Sequence, residues 1–130
     1  ADPEIEAAVA ASPLALIRLV APTTPAPRLA ASLADAEGFV YLLARLGVTG
    51  ASAELAADLG GSVARVRAVT SLPVAVGFGI STPAQAAAVA ALADGVVVGS
   101  ALVAALRQGG AAGAARFLRS LRDAIAAVPR

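Results

Sequence analysis

The sequence predicts an α/β fold on a parallel sheet, with four strand–helix units following an opening helix. Three observations predict it. Four short runs rich in Val, Leu and Ala are continuously apolar, save for Arg18 in the first, rather than alternating, the pattern of parallel strands buried on both faces. Between them lie helix-start signals, at a period of ~25–35 residues that suits repeated βα units. Glycines recur just after the strands. Four such units make half of an eight-stranded (β/α)8 TIM barrel, and the 130 residues are about half of the ~250 that a barrel takes. The expected organisation is a single half-barrel domain over residues 1–130.

Asp2-Pro3-Glu4 opens the first helix with an N-cap candidate, proline at N1 and an acid in the first turn. Ser12-Pro13 stops it. Residues 15–20 read as the first strand, ending at Ala21-Pro22. Thr24-Pro25 opens a second helix, with Leu29 and Leu33 four apart on one face. After Gly38, residues 39–44 form the second strand, and a glycine-bearing loop over 46–53 follows. Gly61-Ser62 precedes a helix carrying Val63, Val66 and Val69. Residues 73–77 are the third strand, led in by a proline where strands tolerate one. Ser81-Thr82-Pro83 starts a helix with Val89 and Leu92 inward. Residues 95–98 are the fourth strand, running through Gly99-Ser100 into a short helix from Ala101. Gly109-Gly110 breaks that helix. The last one, from about Ala114, turns Phe117, Leu118, Leu121 and Ile125 inward and Arg116, Arg119 and Arg122 outward.

Composition narrows the chemistry. Hydrophobic residues are 58% of the chain and aromatics only 3%, so the apolar mass is Ala, Val and Leu. The formal net charge is +1, and all ten basic residues are scattered arginines, so no nucleic-acid footprint is read. Without Cys or His, neither a disulfide frame nor a Cys- or His-based metal site is available, and imidazole chemistry is excluded. Mean hydropathy is high, at +0.80. The uncharged stretch 69–93 nevertheless contains Pro73, Gly77, Gly79 and Pro83 and cannot be one apolar spanning helix. No signal-peptide pattern opens the chain, and the expectation is a soluble, cytoplasmic protein. The absence of an initial Met suggests processing or a longer parent.

The placement of glycines carries most of the functional information. Gly47-Val48-Thr49-Gly50 follows the second strand, Gly77-Phe78-Gly79 ends the third, and Gly99-Ser100 ends the fourth at a helix start. Parallel α/β folds bind ligands at the carboxyl ends of their strands. A glycine there admits a phosphate close to backbone N–H groups, and a helix N-terminus adds donors and a favourable dipole. The competing explanation is that these glycines only make tight βα turns.

Together, Leu19-Val20-Ala21-Pro22-Thr23, Gly38-Phe39-Val40-Tyr41, Gly47-Val48-Thr49-Gly50, the Pro73 to Ser81 run and the Ala93 to Val103 run resemble the tryptophan synthase α chain, in that family's order and spacing. The resemblance covers nearly the whole chain and implies βα units 5 to 8 of the family's barrel. It implies an α chain that cleaves indole-3-glycerol phosphate to indole and glyceraldehyde 3-phosphate. Indole then passes through a tunnel to a β-chain partner, which holds the pyridoxal phosphate. The phosphate-binding positions of the family match Gly50, Gly79, Gly99 and Ser100 here, and the indole pocket matches Tyr41 and Phe78. Thr49 matches a loop threonine that closes over the substrate and orients a catalytic aspartate.

The departures shape the reading as well. The family's catalytic Glu and Asp belong to strands that would precede Ala1, so no catalytic acid is assigned in this chain, although retro-aldol cleavage needs positioned proton transfers. Glu54 and Asp58 fall in or beside the loop after the second strand and are expected at the surface. Asp94, before the fourth strand, belongs at the end opposite the ligand face. Ala44 stands where the family commonly has a serine, and Arg18 interrupts a strand where an apolar residue is usual. A buried Arg must be paired to be tolerated. Three readings stand: the lyase's second half, a non-catalytic half-barrel that pairs with a second half-barrel or its own copy, and a barrel for another phosphorylated metabolite.

Overall fold

The computed structural model describes residues 2–44, 52–77 and 79–129, the side chains of 52–57 excepted. Thr49, Gly50 and Phe78 lie outside the described residues. The chain runs α1 (Pro3–Ala10), β1 (Arg18–Val20), α2 (Ala26–Leu33), β2 (Val40–Leu43), α3 (Ser52–Arg67), β3 (Val74–Gly77), α4 (Pro83–Ala90), β4 (Gly95–Val97) and α5 (Ser100–Ala126). All strand pairs are parallel, in the order β1-β2-β3-β4. This is the half-barrel expected, with each strand shorter than its apolar run.

The register separates the two faces of the sheet. Leu19, Tyr41, Ala75 and Gly95 lie side by side in one row, and Val20, Leu42, Val76 and Val96 in the next. Because side chains alternate along a strand, these rows face opposite ways. The second row, with Val40 and Val74, is at most 4% exposed where it meets the helices, Val96 being partly buried. Against it pack Leu29 and Leu33 of α2, Val63 and Val66 of α3, Ala86 and Val89 of α4, and Leu121 of α5. The first row is different: Leu19 is 63% exposed, and Tyr41, Ala75 and Gly95 are half-buried. The strands are therefore not buried on both faces within this chain. One helix layer covers one face, and the other is the side that a closed barrel turns inward.

Two helices differ from the sequence reading. α3 begins at Ser52 and runs straight through Gly60-Gly61, instead of starting after them. Leu59, Val63 and Val66, 6%, 2% and 1% exposed, form an i, i+4, i+7 stripe, and their burial outweighs the ~1 kcal/mol that each helical glycine costs. Val69 lies beyond the end of α3 and is 38% exposed. In α5 the expected break is present at Gly110, with φ 63° and ψ −162°. Beyond it, Leu121 is buried and Phe117 and Ile125 pack on the core, but Leu118 is 46% exposed, on the outer side.

Arg18 is paired, as its strand position requires. Its two terminal nitrogens donate to Glu6 Oε1 of α1 at 2.9 Å and to Asp35 Oδ2 after α2 at 2.8 Å. These hydrogen bonds, Glu6's first and Asp35's second, hold the guanidinium above its ordinary pKa, and the Arg18 bond lowers that of Asp35. α1 buries no residue of its own, so this pair is a principal link between it and the sheet. Asp94 closes the amino end of β4: its N–H donates to Val74 O at 2.9 Å, and its Oδ2 accepts from Val74 N–H at 2.9 Å and from Arg67 at 3.0 Å.

Candidate functional site

The carboxyl ends of β2, β3 and β4 converge on the residues singled out by the sequence. Tyr41 projects from the uncovered face of β2. It lies level with Ala75 in the register, yet its ring tip reaches Gly77, two residues further along β3. The ring therefore leans toward the ligand end. Gly77 makes this possible: a Cβ there would stand 2.8 Å from Tyr41 Cζ, closer still to Tyr41 Oη, and 2.9 Å from Val97 Cβ. Ordinary carbon contacts need ~3.5–4.0 Å.

Gly79 and Gly99 each follow the carboxyl end of one of two adjacent strands, β3 and β4. Gly77 pairs with Val97, and each glycine follows its strand's member of that pair by two residues. Gly79 takes φ 82°, the left-handed region that a side chain enters at a cost, while Ile80 beside it is 3% exposed and anchors the turn. Gly99 is the N-cap of α5, with Ser100 as the first helical residue; both are exposed.

The two helix starts on this face contrast electrostatically. α4 caps itself: Thr82 Oγ1 accepts from Gln85 N–H at 3.2 Å, and Gln85 Oε1 accepts from the backbone of Thr82 at 3.3 Å and of Ser81 at 2.9 Å. Its first donors are spent internally. α5 has no side-chain cap, and a Cβ at Gly99 would meet nothing within 4 Å. The amides of Ser100 and Ala101 thus lie beside an open space with Ser100 exposed, whereas Leu102 N–H already donates to Gly99 O at 3.0 Å; such a helix N-terminus favours an anion.

The structure brings Tyr41, Gly79, Gly99 and Ser100 to one end of the sheet. Thr49, Gly50 and Phe78 follow the same strand ends in sequence but lie outside the described residues. No acid occurs at positions 21–25, 44–51, 78–82 or 98–100, the segments that follow the strands. Asp58 is exposed on α3, and Asp94 is engaged at the opposite end of the sheet. Sequence reading missed two features of this face. The Thr82–Gln85 capping box was legible as T-x-x-Q before an apolar run. Arg65, which donates to Pro22 O at 2.8 Å and to Thr24 O, carried no signal, because its partners are main-chain oxygens more than forty residues away.

Comparison with known proteins agrees with this geometry. Residues 1–126 match the family model described as tryptophan synthase alpha chain. The tryptophan synthase alpha chain of Novosphingobium aromaticivorans is 47% identical over 126 residues, 97% of this chain and 47% of its own length. That of Caulobacter sp. strain K31 is 57% identical over 96 residues, 74% of this chain and 35% of its own. Among solved structures, the alpha subunit from Campylobacter jejuni superposes with a TM-score of 0.82 at 34% identity, covering 91% of this chain and 48% of that one. Tryptophan synthase from M. tuberculosis in its aminoacrylate-bound form gives 0.78 at 36% identity, over 95% and 45%. The chain spans about half the length of the relatives it matches.

Proposed function

Because this chain belongs to the tryptophan synthase alpha chain family, we propose that it supplies the substrate-gripping half of an indole-3-glycerol-phosphate lyase in tryptophan biosynthesis. The phosphate is held by Gly50, Gly79, Gly99 and Ser100, with the uncapped start of α5 as the main source of N–H donors. The indole ring lies against Tyr41 and Phe78. Thr49 supports the loop that closes over it. The observation that carries this reading is that Gly79, in the left-handed region, and the Gly99-Ser100 helix start, which has no side-chain cap, follow the carboxyl ends of adjacent strands.

Cleavage to indole and glyceraldehyde 3-phosphate needs proton transfer at the ring and at the glycerol hydroxyl. No acid of the segments after the strands is placed for it, so the acid and base come from the other four units of a complete barrel. Pyridoxal phosphate belongs to a β-chain partner; the lysine that binds it as a Schiff base has no candidate in a chain whose basic residues are all Arg.

Co-expression with the first half of a related α chain tests this. Indole and glyceraldehyde 3-phosphate should form from indole-3-glycerol phosphate only when both halves are present. A co-folded complex that neither binds nor cleaves the substrate would refute the reading. The bare face of the sheet, with Leu19 63% exposed and β1 and β4 each unpaired on one edge among the described residues, favours one alternative. In it, two copies of this chain close an eight-stranded barrel that binds phosphate without turnover. Light scattering at micromolar concentration separates the two: a dimer without the other half supports the alternative, and a monomer excludes it.

A further inference from the structure

We propose that Arg65 is a positioning residue for the aromatic end of the ligand, bracing the turn after β1 that stands beside the carboxyl end of β2, the strand that carries Tyr41. The ligand half of this inference rests on the proposed function; the brace itself does not.

The chain leaving β1 folds into a turn closed by Thr24 N–H on Ala21 O at 3.1 Å. The segment is poor in donors, since Pro22, Pro25 and Pro27 have no N–H and Pro25, the N-cap of α2, offers no side-chain cap. Its outward carbonyls must find partners elsewhere. Arg65, near the end of α3, reaches across and gives one terminal nitrogen to Pro22 O at 2.8 Å and the other to Thr24 O. A guanidinium suits this task because its donors are fixed in one plane, so two carbonyls held by it are fixed relative to each other. Water would satisfy either oxygen but would not hold the pair in place. Arg65 borders a small crevice together with Val20, Pro22, Leu29, Leu42 and Ser62, beside the core.

The register shows what the turn borders. Leu19 pairs with Tyr41 and Val20 with Leu42, so Ala21 comes level with Leu43 and the turn stands beside the carboxyl end of β2. The Tyr41 ring leans toward that end. Gly99 and Ser100 follow β4, three strand positions away, roughly 14 Å at the usual strand spacing. Arg65 therefore acts nearer to Tyr41 than to the Gly99-Ser100 helix start.

The test uses this chain with R65Q and R65K. Amide hydrogen exchange by NMR reads the brace without any ligand. Thr24 N–H should exchange about tenfold faster in R65Q, the loss expected for charge-assisted bonds, and R65K should fall between. Amides of β2 and β3 should be unchanged. Titrations with indole and with glycerol 3-phosphate then read the function: R65Q should weaken indole several-fold and glycerol 3-phosphate distinctly less. Unchanged exchange at Thr24 overturns the brace, and equal weakening of both ligands overturns the positioning role. If the unaltered chain binds neither ligand, the proposed function and the ligand half fall together, and the exchange result still decides the brace.

Discussion

Replacing Gly77 with alanine tests the packing at the centre of the site. The added Cβ would lie 2.8 Å from Tyr41 Cζ and 2.9 Å from Val97 Cβ, against the ~3.5–4.0 Å of an ordinary carbon contact. The two clashes relax differently. Tyr41 is half-buried on the uncovered face, and its ring can swing away by rotation at χ1. Val97 Cβ is bonded directly to its backbone, so only a shift of β4 against β3 relieves it. Overpacking of this kind costs ~1–3 kcal/mol, and the lower entropy of an unfolded alanine returns ~0.4–1 kcal/mol, which leaves a net loss of about 0–2.6 kcal/mol. Equilibrium urea unfolding followed by far-UV circular dichroism measures it, with Y41A and the double variant completing a cycle. The ring's share emerges as a coupling of ~0.5 kcal/mol or more, and the remainder belongs to Val97. A G77A variant more stable than the parent, or a cycle with no coupling to Tyr41, would refute the close approach and with it the leaning ring. G77A should also weaken indole binding, because the ring either moves or crowds the ligand.

Other consequences follow from the same contacts. G79A should lose ~1–2 kcal/mol from its left-handed backbone, whereas G99A, whose Cβ meets nothing, should stay within ~0.5 kcal/mol of the parent in the same unfolding assay. S100A should weaken glycerol 3-phosphate in a calorimetric titration and leave the urea midpoint unchanged; a matching loss of both would assign Ser100 to the fold. T82A should cost ~1 kcal/mol by removing the α4 cap, with no effect on phosphate affinity. Asp35 gives a pH dependence. Its pKa in the folded chain is lowered by the Arg18 hydrogen bond, so its contribution is complete above the ordinary carboxylate pKa and is lost as pH falls through the lowered folded value. Urea midpoints across the acid range should fall less in D35N than in the parent; parallel profiles would show that the pair does not stabilise the fold.

How much of this was legible in the sequence divides along physical lines. The four strands, the break at Gly110 and the placing of Gly79, Gly99 and Ser100 at the strand ends follow from local chemistry: apolar runs, proline starts, and glycines placed after strands. The start of α3 was misjudged for the opposite reason. Gly60-Gly61 reads locally as a break, but burial of Leu59, Val63 and Val66 decides the matter, and burial is a property of the assembled sheet. The uncovered face was misjudged because a both-faces-buried strand in a barrel and the same strand in half a barrel have identical sequences. What distinguishes them is whether another polypeptide covers Leu19 and Tyr41. The same limit explains Arg65 and Arg18. Both arginines act through groups distant in sequence, one on main-chain carbonyls and one on Glu6 and Asp35. The ends of β3 and β4 that carry Gly79, Gly99 and Ser100 are backbone placed by their own local sequence, so these residues can be read directly. The surroundings of Tyr41 and of the turn after β1 depend on side chains that cross between elements, so the close approach at Gly77 and the hydrogen bonds of Arg65 emerge only once the strands are in register.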